Sequence, residues 1–386
     1  MIRSVFALLA GAVTVTAAAQ VVPLDPGKYK VKLDRAVKAG PPQTTGATPF
    51  ALQSTPGVKF FVHSFNSLGT PLPVAFIGGN PSVAGAGTTT IPTTFVPLAF
   101  EFWNAPGIIL DGGDIIPTTV ASPVFQKHPF TSGPTRIGNT QYLDAVMRAQ
   151  FWNYARPRGI SPDYHLLLGT PVVARTLTLF IPKGFGFLAV TNSGVLFGLI
   201  DFSKVPLDTI FLSVMKNLNV TADQLPMFLA RNLLGYEGTL DNCCIGGYHN
   251  SESGPGATAQ TWVYASYLDI SLFGPSFADL VPLSHEIAEW ANDPFVGANF
   301  TDRPGVNWVP PSIAPGVGCL ANFETGDVVE GLRNGSFAVT VNGTTYHLED
   351  EAYLYWFTHQ TPSPAANGWY VFQNALPTFG KFCTAG

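Results

Sequence analysis

The chain is poor in charge: Asp, Glu, Lys and Arg make up only 12% of its 386 residues, and the formal net charge is −5. Its few Lys and Arg residues form no basic stripe, so the sequence lacks the cations that nucleic-acid binding requires. Beyond the N-terminus, no run reaches the ~18 apolar residues of a spanning helix. We therefore expect no nucleic-acid partner and no membrane span after signal cleavage, and the oligomeric state is open.

Several catalytic and binding signatures are also missing. There is no G-x-S-x-G nucleophile elbow, and no glycine-rich loop ending in Lys followed by Ser or Thr. A C-x-x-C metal pair is absent too, which disfavours a cysteine zinc knuckle. Serine hydrolysis and phosphate-loop chemistry are thus unsupported by the sequence.

The N-terminus has the pattern of a secretory signal peptide. Arg3 precedes an apolar run over residues 5–15, and small residues at 17–19 lead to Gln20. We expect residues 1–19 to be removed and the mature chain to be secreted, starting near Gln20. An uncleaved anchor is the alternative.

The chain contains only four cysteines, Cys243, Cys244, Cys319 and Cys383. In an exported protein such cysteines favour disulfides. Adjacent cysteines rarely bridge each other because the ring is strained, so we expect Cys243 and Cys244 each to pair with Cys319 or Cys383. The sequence leaves the connectivity open.

What the chain does have is many short apolar segments separated by its 39 glycines and 33 prolines. Residues 20–57 are rich in Pro, Gly and Thr and indicate an extended arm or linker. Short strand-like runs predict a β-rich region over 58–170. Strands and helices then alternate over 171–386, which predicts a second domain and an α+β fold overall.

One stretch concentrates the chemistry. Residues 284–294, SHEIAEWANDP, have helical spacing, with Leu283, Ile287 and Trp290 on one face and His285, Glu286 and Glu289 on the other. His285 and Glu289 stand one turn apart, close enough to share a metal ion, and Glu286 lies beside them where a general base would meet water. A solvated acidic face on an ordinary amphipathic helix is the alternative.

A second acidic cluster follows at Glu324-Thr325-Gly326-Asp327, with Glu330 just beyond. Gly326 permits a tight turn that could direct Glu324 and Asp327 to one point. Alone, this is typical of an acidic surface turn. Together with the helix, it supplies a further protein ligand from outside the helix, either Glu324 or Asp327.

The helix resembles the HExxH helix of the zincin metallopeptidases, with Glu289 in place of the second His. Over about residues 247–330, the H-E-x-A-E run, the Asn292-Asp293-Pro294 sequence, the later E-x-G-D and the Gly247-Tyr248-His249 segment resemble phosphate-induced, exordium-like plant proteins and secreted bacterial proteins of metallopeptidase type. The resemblance implies a zincin-like mixed sheet with an active-site helix. It also implies metal ligands at His285, Glu289 and Glu324 or Asp327, and a base at Glu286.

Three neighbouring residues are candidates for supporting roles. Asp293 could orient His285 or cap the turn, His249 could orient substrate or ligate, and Tyr248 could donate to an oxyanion. An ordinary structural histidine is the alternative at His249. One His with several carboxylates is a harder donor set than the usual zinc site, so the expected cofactor is zinc, with calcium or manganese as alternatives.

The sequence therefore predicts a secreted, metal-dependent hydrolase, a zincin-type peptidase acting on a peptide or protein substrate with Glu286 as the general base. The alternative is an extracellular structural protein, or one that binds carbohydrate or cell wall, with a structural cation in the same place. An inactive descendant of a zincin is a third possibility.

Overall fold

A computed structural model describes residues 21–26, 57–67, 69–252, 259–295, 308, 323–332 and 334–374. Within these residues the protein is mixed α+β and contains several sheets, as the sequence predicts at this level. The predicted signal peptide, most of the predicted arm, Cys319 and Cys383 lie outside the described residues. In the part of the chain that is described, no helix is long and apolar enough to cross a membrane.

Twenty strands are described. They are β1 (Val22–Pro23), β2 (Phe60–Ser67), β3 (Thr70–Ile77), β4 (Thr88–Ile91), β5 (Thr93–Phe102), β6 (Ile109–Asp111), β7 (His128–Ser132), β8 (Thr135–Thr140), β9 (His165–Leu168), β10 (Val172–Val173), β11 (Leu177–Ile181), β12 (Gly186–Val190), β13 (Leu196–Asp201), β14 (Leu225–Arg231), β15 (Leu233–Glu237), β16 (Thr239–Ile245), β17 (Gly247–Glu252), β18 (Gln260–Tyr267), β19 (Ser336–Val341) and β20 (Thr344–Glu349).

The described α-helices are fewer. They are α1 (Ile116–Val120), α2 (Tyr142–Gln150), α3 (Trp152–Ala155), α4 (Leu207–Asn217), α5 (Ile270–Phe273), α6 (Val281–Asn292) and α7 (Leu354–Phe357). The sequence predicts a helix over 141–154, which corresponds to α2 followed by α3. It also predicts a short helix over 349–357, which the structure limits to α7, because β20 continues to Glu349 and Ala352 forms a β-bridge with Val371.

The central sheet has seven strands. Its main path is β10-β5-β14-β18-β17, with β11 and β6 also paired to β5. Strands β10, β11, β5, β14 and β18 run parallel, whereas β17 runs antiparallel to β18 at the edge. The strand next to the site is therefore an antiparallel edge on a largely parallel sheet.

The central sheet also joins the two halves of the chain. Strand β5 belongs to the predicted region 58–170, yet it pairs with β14 in register Phe95 to Met227. The central sheet thus takes strands from both sides of the predicted boundary near residue 170, β5 and β6 before it and the other five after it. A five-stranded sheet, β1-β12-β13-β15-β16, packs nearby, and its first strand comes from the predicted arm.

Alternation along the strands of the central sheet divides the core between its two faces. Phe95, Met227 and Val263 belong to the apolar cluster that includes the helices α2 and α6. Their neighbours Val96 and Phe228 belong to the cluster that includes α4. Helix α6 therefore lies on the opposite face of the sheet from α4.

Helix α6 is the predicted site helix, and it begins where Pro282 requires. Pro282 occupies the first turn, where its missing N–H leaves no bond unmade. The sequence predicts a start between Asp279 and Val281, with Asp279 as the cap, but the N-cap is Leu280, which has no capping side chain. The Asp279 carboxylate instead accepts hydrogen bonds from the backbone N–H groups of Leu280 and His347, at 2.6 and 2.7 Å.

The Asn342-Gly343 sequence predicts a hairpin turn, and it joins β19 to β20 in a hairpin that packs against α6. The sequence favours a structural role for His347, which follows this turn, and on β20 its Nδ1 contacts Asp279 at 2.6 Å. The Ser284 hydroxyl accepts the backbone N–H of Glu349 at 2.8 Å. These bonds attach the hairpin to the N-terminal end of α6.

The cysteine prediction is wrong for two residues. Cys243 and Cys244 form a disulfide with each other across a cis peptide bond, not with Cys319 or Cys383. The cis bond places their Cα atoms only 3.0 Å apart, which lets the small ring close. Because Cys243 and Cys244 both lie in β16 and bond to each other, their disulfide does not link the segment before α6 to the segments after it.

Candidate metal centre

The polar face of α6 is buried, not solvated. All twelve residues of the helix are buried, because the helix packs against β17 and β18 on one side and β20, β3 and α2 on the others. His285 Nε2 and Glu289 Oε2, one turn apart, are 3.0 Å from each other, and both side chains have no exposed surface. This excludes the alternative of an ordinary helix with an acidic face in water.

The Glu324–Asp327 turn meets Glu289 from outside the helix. The backbone N–H groups of Gly326 and Asp327 donate to Glu289 Oε1 at 2.9 and 3.4 Å. Asp327 Oδ1 lies 3.9 Å from His285 Nε2. The structure therefore brings together both acidic segments that the sequence singled out, and Glu324 and Asp327 are both buried there.

His249 reaches the same place from the edge strand β17. Its Nδ1 lies 3.4 Å from Glu286 Oε2 and 3.9 Å from Glu289 Oε2. Its Nε2 donates to the backbone carbonyl of Asp293 at 3.1 Å, since a carbonyl can only accept. Of the two roles predicted for Asp293, it has the second: it is the C-cap of α6, its backbone N–H donates to the carbonyl of Glu289, and its own carbonyl contacts His249.

Two groups of residues could each hold a metal ion. One consists of His249, Glu289 and Glu324, and the other of His285, Glu289 and Asp327. Within each group, one ligand atom from every residue lies within 4.8 Å of the others. Glu324 and Asp327 thus belong to different groups, although the sequence predicted that either one would be the ligand from outside the helix.

Burial keeps both histidines in the form that binds metals. It lowers the pKa of His249 to about 3 and the pKa of His285 to about 4, although the nearby Asp327 carboxylate acts in the opposite direction on His285. Burial, with Glu289, Asp327 and Asp293 close by, raises the pKa of Glu324 well above its usual range. Neutral imidazoles beside crowded carboxylates are a donor set that fits a divalent cation.

Glu286 lies between α6 and β17. Its Oε1 packs against Gly247, where an added Cβ would be 2.6 Å away. Only glycine, which has no side chain, leaves space for the Glu286 carboxylate at this position of β17. The predicted base is therefore placed beside the histidine and carboxylates that could hold the ion.

Tyr248 does not join this group. Because side chains alternate along β17, it points to the other face of the sheet, where its hydroxyl lies 2.9 Å from Asp208 Oδ1 on α4. The predicted contribution to an oxyanion site has no support in this position.

A supporting layer behind the site was missed from the sequence. Glu351 Oε2 accepts the hydroxyl proton of Thr325 at 2.9 Å, and its Oε1 accepts that of Tyr142 at 3.2 Å. The backbone N–H of Ala352 donates to the Thr325 carbonyl at 2.9 Å. These bonds fix the turn that presents Glu324 and Asp327. The sequence does contain a signal for this layer, because three consecutive acidic residues at 349–351 are unusual in so weakly charged a chain.

We predict that Gly326→Ala destabilises the protein by about 2–4 kcal/mol, because the added Cβ would lie 2.9 Å from Cγ of the buried His285 ring. Urea unfolding of both proteins measures this. Gly169→Ala, whose Cβ would be 3.2 Å from its nearest neighbour, is the comparison and should lose less. Equal stability of Gly326→Ala and the original chain would contradict this close packing.

No protein-family model, curated protein or solved structure matches this chain.

Proposed function

We propose that the chain is a secreted metal-dependent hydrolase of zincin type, a peptidase in which Glu286 is the general base. The observation that carries the proposal is the buried junction of α6, β17 and the Glu324–Asp327 turn. There Glu286 Oε2 lies 3.4 Å from His249 Nδ1, and His285 Nε2 lies 3.0 Å from Glu289 Oε2. A histidine, a base and several carboxylates converge on one point, as metal-assisted hydrolysis requires.

The arrangement of the sheet supports a zincin-like fold. The site helix packs against β18 and β17, and β17 is an antiparallel edge of a largely parallel sheet. The resemblance of the H-E-x-A-E and E-x-G-D motifs to exordium-like and metallopeptidase-type proteins agrees with this, and it remains part of the proposal.

His285 and Glu289 would hold the ion, with Asp327 or Glu324 from the turn. We propose zinc, which when bound polarises a scissile carbonyl and makes water more acidic. The chain's own contribution is to fix these ligands. Glu289 Oε1 is held by two backbone N–H groups, and His249 is held by the carbonyl of Asp293.

Glu286 would move the proton. Its carboxylate takes a proton from the attacking water and passes it to the leaving amine, as a general base and then a general acid. The packing of Gly247 against Oε1 limits the positions that this side chain can take. Glu286 is fully buried in the junction, so its surroundings strengthen the electrostatic effect of each nearby charge.

The edge strand β17 suits a peptide substrate. Among the described strands, β17 pairs with β18 alone. A peptide in extended conformation can add to such an edge through backbone hydrogen bonds, which would place its carbonyl groups beside His249 and Glu286. Export to the extracellular space, proposed from residues 1–19, agrees with a hydrolase of this kind.

The donor set also favours a second candidate, an extracellular structural or binding protein that holds calcium. Glu289, Glu324 and Asp327 offer carboxylate oxygens, which calcium prefers, alongside only two imidazoles. In that case the ion would stabilise the fold and no peptide would be cleaved.

We predict that removing the ion with a chelator lowers Tm by about 10 °C and abolishes peptide hydrolysis, and that added zinc restores both. The reason is that a bound ion stabilises only the folded state. Elemental analysis of the purified protein, differential scanning calorimetry and a screen of mixed peptides measure these effects.

The outcomes separate the candidates. Zinc with restored hydrolysis supports the peptidase. Calcium, with melting sensitive to chelator and no hydrolysis, supports the structural protein. Absence of any metal after purification in the presence of zinc contradicts both, and leaves an inactive relative of the zincins.

A further inference from the structure

The two candidate ligand groups are not separate sites, because both contain Glu289. We propose that the centre is dinuclear and holds two zinc ions bridged by the Glu289 carboxylate. One ion would take His285 and Asp327, and the other His249 and Glu324. The inference rests on the proposed metal site and extends it from one ion to two.

The Glu289 carboxylate has the geometry of a bridge. Its Oε1 accepts the backbone N–H groups of Gly326 and Asp327, which fixes the side chain. Its Oε2 lies 3.0 Å from His285 Nε2 and 3.9 Å from His249 Nδ1. One oxygen atom is therefore near ring nitrogens of two histidines that come from different elements, α6 and β17.

His249 presents a lone pair to this oxygen. Its Nε2 donates to the Asp293 carbonyl, so a neutral ring carries its lone pair on Nδ1. That lone pair faces Glu286 Oε2 at 3.4 Å and Glu289 Oε2 at 3.9 Å. A lone pair directed at carboxylate oxygens is repelled unless a cation or a shared proton lies between them, and a metal ion can bind the nitrogen and both carboxylates together. A ligating histidine also usually donates its other N–H to a carbonyl or carboxylate, as His249 does.

His285 also points to a cation site, from the side of α6. Its Nε2 is 3.0 Å from Glu289 Oε2, yet the two atoms are not aligned as a hydrogen bond, and neither ring nitrogen of this buried side chain has a hydrogen-bond partner among the described residues. Asp327 Oδ1 lies 3.9 Å from the same nitrogen. A ring with its proton on Nδ1, toward Gly326, would offer Nε2 to an ion held between Glu289 and Asp327.

The charges of the centre match two ions better than one. Glu286, Glu289, Glu324, Asp327 and the neighbouring Asp293 are all buried, with at most 5% of any of these residues exposed. When ionised they carry a combined charge that one divalent cation offsets by less than half and two offset for the most part. Buried charge without such compensation is costly. Imidazole and carboxylate together suit zinc or manganese, and centres with two such ions about 3.5–4 Å apart occur in aminopeptidases and phosphatases.

Titration of metal-free protein with zinc, followed by removal of excess ion and elemental analysis, tests the proposal. We expect two zinc ions per chain in the original protein and one in each of His249→Ala and His285→Ala. Glu289→Ala should retain less than one. The matched control is His128→Ala, which removes a histidine on β7 outside both groups and should retain two. Circular dichroism of each variant checks that it is folded.

Cobalt(II) substitution of the unmutated chain provides a second readout that does not depend on folded variants. Two bridged cobalt ions couple magnetically, so the electron paramagnetic resonance signal should rise up to one equivalent and fall as the second is added. A signal that grows to a single equivalent and then stays constant would overturn the dinuclear centre.

The inference and the proposed function fail in different ways. One ion per chain, kept in His249→Ala, overturns the second site and leaves the one-ion hydrolase intact. Two ions that both remain in His249→Ala overturn the assignment of this histidine as a ligand. No bound ion in the original chain overturns both proposals together.

Discussion

Replacing Glu286 by Gln is expected to lower kcat for peptide hydrolysis by about 10²- to 10⁴-fold, the range that a positioned general base contributes. The amide keeps the size of the carboxylate but cannot accept the proton of water. Because Gln still fits beside Gly247 and His249, Tm and metal content should remain as in the original protein. Steady-state kinetics on a cleaved peptide, with elemental analysis of the same samples, measures this.

The matched control is Glu252→Gln, an identical exchange at the exposed end of the same strand β17. It should leave kcat unchanged. Turnover retained in Glu286→Gln would remove Glu286 from the mechanism, and loss of metal in that variant would make Glu286 a ligand instead of a base.

The metal-free protein is expected to lose stability as the pH rises from 6 to 8, by an amount on the order of a few kcal/mol. Burial raises the pKa of Asp350 to about 7 and the pKa values of Glu349 and Glu351 well above their usual range. The folded chain then holds protons that the unfolded chain has already released. This contribution is complete below pH ~4 and is lost as the pH rises through the folded pKa values.

The two site histidines act in the opposite direction, but at lower pH. Their pKa values fall to about 3 for His249 and about 4 for His285, so below pH ~6.5 the unfolded chain binds protons that the folded chain does not. Their contribution is lost as the pH falls. Above pH ~6.5 both histidines are neutral in the folded and the unfolded chain, so among these groups only the carboxyl groups set the slope of the free energy of unfolding against pH.

Urea unfolding of chelator-treated protein at several pH values measures this slope. Asp350→Asn imitates the protonated acid and should flatten the curve by about 1.4 kcal/mol per pH unit below pH 7. Metal-loaded protein should lose less stability over the same range, since ions compete with protons for the ligands and therefore bind more tightly as the pH rises. Metal-free protein that gains stability from pH 6 to pH 8 would show that these carboxyl groups are ionised in the folded chain.

Local pattern is enough to predict several individual elements. It predicts a strand over 177–181, the limits of β11, and a helix over 207–218, one residue longer than α4, because apolar spacing and flanking Gly and Pro act within a few residues. The same holds for α6, whose start follows from Pro282. The convergence of α6 with the Glu324–Asp327 turn was inferred from chemistry, since a ligand pair on a helix needs partners from elsewhere.

What the sequence did not predict depends on contacts between distant segments. The roles of His249 and Tyr248 follow from the register of β17 against β18 and from which face of the sheet meets α6, and one step along a strand reverses that face. The complete burial of α6 depends on the β19–β20 hairpin closing over it. Glu351 acquires its role only because α2 and the turn at Thr325 meet behind the site.

The pairing of β5 with β14 has a consequence for how the chain folds. The end of β5 pairs early with β6, but residues 93–97 pair with β14 only after more than a hundred further residues, and α6 needs β17, β18 and the still later hairpin. Such high contact order makes folding slow, because the entropy of closing long loops opposes these native contacts. During synthesis, the apolar edge of β5 that meets β14 would remain uncovered, so we expect the nascent chain to depend on chaperones until β14 and β18 have been made.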